Sequence, residues 1–110
     1  MTVSDQDLEK LRFPIGRAPN DPEPSAAARR ACVDRIAALP AKLRAVVAKM
    51  DDAALDTPYR PGGWTARQVI HHLPDSHMNA YVRFKMAATE NDPPIRKYRE
   101  DEWALSLIHI

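Results

Sequence analysis

Pro61-Gly62-Gly63, followed by Thr65 and Gln68, is the feature that most narrows what this chain can become. Proline holds φ fixed and glycine tolerates positive φ, so the triplet ends any element running into it. Thr65 is a good helix N-cap, and Gln68 three residues later completes a capping-box pattern. A helix that starts there carries His71 and His72 into its second turn. Asp75, Ser76, His77, Asn79 and Arg83 follow along it. Polar and titratable groups this dense beside an apolar helix face are unusual for plain core packing, and they read as part of a site.

The spacing of apolar residues makes the rest of the chain all-α. Cys32, Ile36, Leu39, Leu43, Val46 or Val47, and Met50 recur at three- and four-residue steps, which predicts a helix from about Ser25 to Met50. Pro40 falls inside it, where a kink or a restart is expected. The second long helix spans about Thr65 to Glu90. Val69, Leu73, Ala80, Phe84 and Ala87 share one of its faces, and Ile70, Tyr81 and Ala88 widen it. Pro74 inside this helix should cost about 3 kcal/mol unless its neighbours compensate.

Between the helices, Asp51 to Gly63 reads as a connection. Residues 1–24 read as an extended arm with a turn at Phe13-Pro14-Ile15-Gly16, where Phe13 and Ile15 are expected to cover apolar surface elsewhere. Ile95 to Trp103 reads as a loop with a short helical turn. No strand-like alternation and no internal repeat is present.

With 16 basic and 15 acidic residues in 110, the chain carries no basic surplus for nucleic acid. It has no apolar run near the ~20 residues a membrane span needs, and no apolar signal core at its N-terminus. One cysteine, Cys32, cannot form an internal disulfide, and the expected compartment is the cytoplasm. A pair of amphipathic helices leaves the outer side of each apolar stripe wet, so more chain or a second copy should complete the core.

Histidine is the commonest protein metal ligand and the usual proton carrier near neutral pH. His71 and His72 point about 100° apart on a helix, so both cannot ligate one metal from the same face. No HExxH or His-x-x-x-His spacing occurs. From periodicity, His72 is either a ligand or a hydrogen-bonded histidine at the solvent edge. His77 reads as half-buried and satisfied, His71 as exposed, and Trp64 and Trp103 as packing residues.

Taken together, several segments closely resemble the YfiT-like branch of the DinB superfamily. They are Leu55-Asp56-Thr57-Pro58-Tyr59-Arg60, Gly62-Gly63-Trp64-Thr65, Arg67-Gln68-Val69, His71-His72-Leu73, Asp75-Ser76-His77-Met78-Asn79 and Arg83-Phe84-Lys85. Phe13-Pro14-Ile15-Gly16, Leu39-Pro40-Ala41-Lys42-Leu43, Pro94-Ile95-Arg96 and Tyr98 are similar to the same branch. The resemblance covers roughly residues 13 to 104 and rests on many unusual residues in order. It implies a four-helix bundle holding one divalent metal, zinc or nickel, with three histidines. The matching position here is His72, and the other two histidines come from a His-x-x-x-His motif on a later helix. It further implies a metal-dependent hydrolase or a low-molecular-weight thiol S-transferase, with a small-molecule substrate, a bacillithiol-like thiol and a homodimeric state. A three-histidine site with open positions suits either chemistry.

Two departures stand out. Pro74 replaces a small residue directly after His71-His72-Leu73. The chain also ends at Ile110, before a third and fourth helix, and Leu105-Ser106-Leu107-Ile108-His109-Ile110 does not look like the family. The expected organisation is therefore an arm at 1–24, the N-terminal half of a DinB-like bundle at 25–104, truncated after the second long helix, and a non-family tail at 105–110. Such a chain is expected to be inactive alone. The alternative is an inactive fragment or a non-catalytic helical dimerisation module.

Overall fold

The structure, a computed structural model, describes residues 3–106. His109 and most of the 105–110 tail lie outside them. Five helices form, α1 (Asp5–Arg12), α2 (Ala26–Val47), α3 (Asp52–Leu55), α4 (Ala66–Thr89) and α5 (Glu100–Ala104). No strand forms among the described residues, and a lone antiparallel bridge joins Pro58 to Thr65. No helix among them is long and apolar enough to cross a membrane. The chain divides into two compact units, Met1–Leu55 and Asp56–Ile110.

In the first unit, the segment expected to be an extended arm contains α1. The Ser4 side chain caps it by accepting from the Asp7 amide at 3.2 Å. Asp5 and Asp7 occupy its first turn and Lys10 and Arg12 its last, the order that the helix dipole favours. Capping and charge therefore form a helix where the apolar periodicity is too short to announce one. Gly16, at φ +82°, turns the chain after it. Phe13 is covered locally, with the Arg17 guanidinium 4.1 Å from its ring centroid. Ile15 is 98% exposed, contrary to expectation.

Ser25 caps α2 by accepting from the Ala28 amide at 3.1 Å. The helix then runs as one element through Pro40, so of the expected kink or restart the restart does not occur. Pro40 and Ile36, whose carbonyl loses its usual donor, are both exposed, so solvent can meet that carbonyl. On the apolar stripe Leu39, Leu43, Val47 and Met50 are half-buried, whereas Cys32, Ile36 and Val46 are exposed. Within the expected connection, Asp51 caps the short α3 by accepting from the Ala54 amide at 2.8 Å.

The second unit opens with the turn that positions the site. The Gly63 amide donates to the Arg60 carbonyl at 3.0 Å across Pro61 and Gly62. Gly62 takes φ +66°, so proline and a left-handed glycine stand where a type II turn requires them. The Tyr59 amide then donates to the Trp64 carbonyl, and the Ala66 amide to the Thr57 carbonyl, which closes the loop onto the start of α4. The capping box forms as read from sequence. Thr65 Oγ1 accepts from the Gln68 amide at 3.1 Å, and Gln68 Oε1 accepts from the Thr65 amide at 2.9 Å. α4 also continues through Pro74, which is exposed. After it, Asp92 turns the chain at φ +47°, and α5 returns to pack on α4.

Candidate metal centre

The polar strip of α4 is covered, along with Ile70, Leu73 and Ala80 of the apolar face. Gln68, His72, Ser76, Asn79 and Arg83 are half-buried and Asp75 is only 3% exposed. Phe84, assigned by periodicity to the apolar face, is 78% exposed, and Tyr81 is 63% exposed. What covers the polar strip is the return segment. Arg83 donates to the Arg96 carbonyl at 3.2 Å, and Tyr98 and Trp103 reach the same side.

His72 sits at the centre of this face, one helical turn beyond the capping box. Its imidazole makes an edge contact with the Trp64 indole, with centroids 5.0 Å apart and planes at 67°. The Tyr98 ring lies over it at 6.4 Å with planes at 22°, and Tyr98 in turn packs on Trp103 at 4.8 Å. All three distances fall in the range where ring edges and faces attract. Trp64 Nε1 donates to Asp101 Oδ1 at 2.9 Å, which ties the turn before α4 to α5. Within this surround, His72 Nδ1 is buried and has no hydrogen-bond partner.

The other expected residues fall differently. His71 is half-buried rather than exposed, and it engages a neighbour of its own. His77 is exposed rather than half-buried, as are its neighbours Pro74, Tyr81 and Phe84. His71 and His77 therefore do not join His72. Trp64 is a packing residue as expected, but what it packs on is the candidate ligand.

Asp75, Ser76 and Tyr98 form a second polar group next to the ring. Burial pushes the Tyr98 hydroxyl above the ordinary tyrosine range, and the Asp75 and Glu100 carboxylates push it further. Arg83 and a hydrogen bond with Ser76 oppose that shift. Asn79 Nδ2 donates to the Asp75 carbonyl at 2.8 Å and anchors this part of the helix. Beyond Tyr98 opens a cleft of about 710 Å³, with Arg83, Met86, Pro94, Ile95, Tyr98 and Trp103 among its walls.

Among the described residues no group of three or more His, Cys, Asp or Glu side chains is placed to hold a metal ion. His72 fits the role of a single donor. Buried polar atoms are almost always hydrogen-bonded, so an imidazole nitrogen with no protein partner suits a bond to an ion.

The family model of the DinB superfamily matches residues 35–108. A Bacillus cereus (strain B4264) protein named "Putative metal-dependent hydrolase" is 44% identical over 97 residues, which are 88% of this chain and 56% of that protein. A protein with the same descriptive name from Bacillus anthracis (strain A0248) matches equally. Among solved structures, YfiT from Bacillus subtilis superposes with a TM-score of 0.85 at 45% identity, covering 91% of this chain and 57% of its own. It is described as "a probable metal-dependent hydrolase with an unusual four-helix bundle topology". The chain thus spans about half the length of the curated relatives it matches. Its helical, strand-free described residues agree with the expected all-α, DinB-like class. By sequence and by structure, this chain belongs to the YfiT-like branch of the DinB superfamily.

Proposed function

We propose that this chain forms part of a metal-dependent hydrolase or low-molecular-weight thiol S-transferase of the DinB/YfiT type, in which His72 is one of three histidine ligands to a divalent metal, zinc or nickel. The observation that carries the proposal is the buried, unpartnered Nδ1 of His72. It stands in the His71-His72-Leu73 stretch that matches the family, and the relatives' names support a metal-dependent reaction. The remaining protein donors come from outside the described residues.

A divalent ion with open coordination positions lowers the pKa of a bound water or thiol. The chain's own contribution is to present one imidazole at a fixed angle and keep water from its buried side. Trp64 and Tyr98 hold the ring. The cleft beyond Tyr98 offers Arg83 with an apolar wall of Met86, Pro94, Ile95 and Trp103, which suits a small organic substrate. A bacillithiol-like thiol, a homodimeric state and a cytoplasmic location belong to the same proposal.

The test is metal content and affinity in a full-length relative carrying these residues. His72→Ala should abolish most zinc or nickel binding, whereas His71→Ala should leave it nearly intact. Equal losses would mean that the wrong histidine is assigned. A second reading, a non-catalytic helical module that self-associates, is favoured by the exposed Tyr81, Val82 and Phe84 on α4. Stoichiometric bound metal supports the first reading. A metal-free dimer by light scattering supports the second.

A further inference from the structure

We propose that Asp101 and Trp64 are positioning residues for His72, which act by holding the Trp64 indole against the imidazole. The proposal rests on the reading of His72 as a metal donor and names what aims it. The contacts form a closed circuit. Asp101 accepts from Trp64 Nε1 at 2.9 Å, Trp64 meets the His72 ring edge, Tyr98 covers His72, and Trp103 backs Tyr98. Asp101 and Trp103 both belong to α5, so one short helix closes both ends of the circuit.

The need for such a clamp follows from the ring's own bonding. A histidine donor is usually oriented by a hydrogen bond from its second ring nitrogen, which fixes tautomer and angle. Among the described residues no hydrogen bond holds either ring nitrogen of His72, so the ring planes of Trp64 and Tyr98 are what restrict rotation about the Cβ–Cγ bond. An indole contact orients a neighbour only if the indole itself is fixed. Trp64 precedes α4, on a turn built around two glycines, and Asp101 supplies the tether.

The experiment uses the 110-residue chain and follows the His72 ring by NMR. Three variants are compared with the native protein: Asp101→Leu, which removes the acceptor at similar size; Asp101→Asn, which retains an acceptor oxygen; and Trp64→Phe, which keeps a ring but removes the donor. In the native chain the ring currents of Trp64 and Tyr98 displace the His72 ring signals. These signals should move back toward random-coil positions in Asp101→Leu and Trp64→Phe, and remain displaced in Asp101→Asn. Zinc affinity of a full-length relative carrying the same substitutions should weaken about tenfold with the first two and stay near native with the third. Should Asp101→Leu fail to fold, Trp64→Phe carries the comparison. Unchanged ring signals in Asp101→Leu, or an Asp101→Asn variant no better than Asp101→Leu, would overturn the proposal. If His72→Ala leaves the zinc affinity of a full-length relative unchanged, the metal-donor reading falls, while the ring signature in this chain still decides the positioning role.

Discussion

Trp64 donates its indole N–H to Asp101 across 37 positions of sequence, and the same indole meets the edge of the His72 imidazole. A turn residue, a helix residue and a residue from the returning segment are thereby joined around one ring. The surface that holds them is the polar face of α4.

The capping box predicts a local stability effect. Thr65→Ala removes the acceptor for the Gln68 amide and should lower the unfolding free energy by about 1 kcal/mol, while Thr65→Ser should retain most of it. Urea denaturation followed by circular dichroism measures both. An alanine variant as stable as the native chain would show that the cap contributes nothing to α4.

The two glycines before the helix should fail for different reasons. Gly62 sits at φ +66° with open space around its Cα, so Gly62→Ala meets backbone strain of about 1 kcal/mol, and Gly62→Asn should be milder because asparagine tolerates that region. At Gly63 a Cβ would stand 2.6 Å from Arg60 Cγ and 3.1 Å from Tyr59 Cε1. Gly63→Ala must therefore shift its neighbours, and its cost falls in the overpacking range of about 1–3 kcal/mol. Denaturation midpoints of the three variants give the ranking.

Tyr98 predicts an alkaline limb in the stability curve. Its proton is held more tightly in the folded protein than in the unfolded chain, where tyrosine titrates near 10.0. The folded state binds more protons between that value and the raised one, so its contribution is fully present below about pH 10 and is lost as pH rises through the folded pKa. The difference in stability between native protein and Tyr98→Phe should be flat below that window and shrink within it. A difference that stays constant through alkaline pH would refute the shift.

Metal binding by the 110-residue chain should be weak. Its described residues bring one imidazole to the centre and no three-ligand group, whereas sites of this kind normally use three protein ligands. Elemental analysis of dialysed protein should find well under one zinc or nickel per chain, and no turnover of thiol-transfer or hydrolysis substrates should be seen. A monodisperse monomer retaining one tightly bound ion would contradict this.

What the amino-acid order determined by itself is local. The break at Pro61-Gly62-Gly63, the capping box at Thr65 and Gln68, and two long helices follow from backbone preference and from spacing within a few residues. α1 obeys the same local rules, but its signal lies in capping and charge rather than in an apolar stripe, so a reading by periodicity passes over it. Periodicity also identifies the two faces of α4 without saying which one is covered. Only the tertiary structure decided that the polar face lies under Tyr98 and Trp103 while Phe84 stays exposed, because burial depends on what the chain returns to that face. The same return laid Tyr98 against His72, and it brought Asp101 to Trp64. Those relationships arise from contacts distant in sequence, for which neither propensity nor spacing carries a signal.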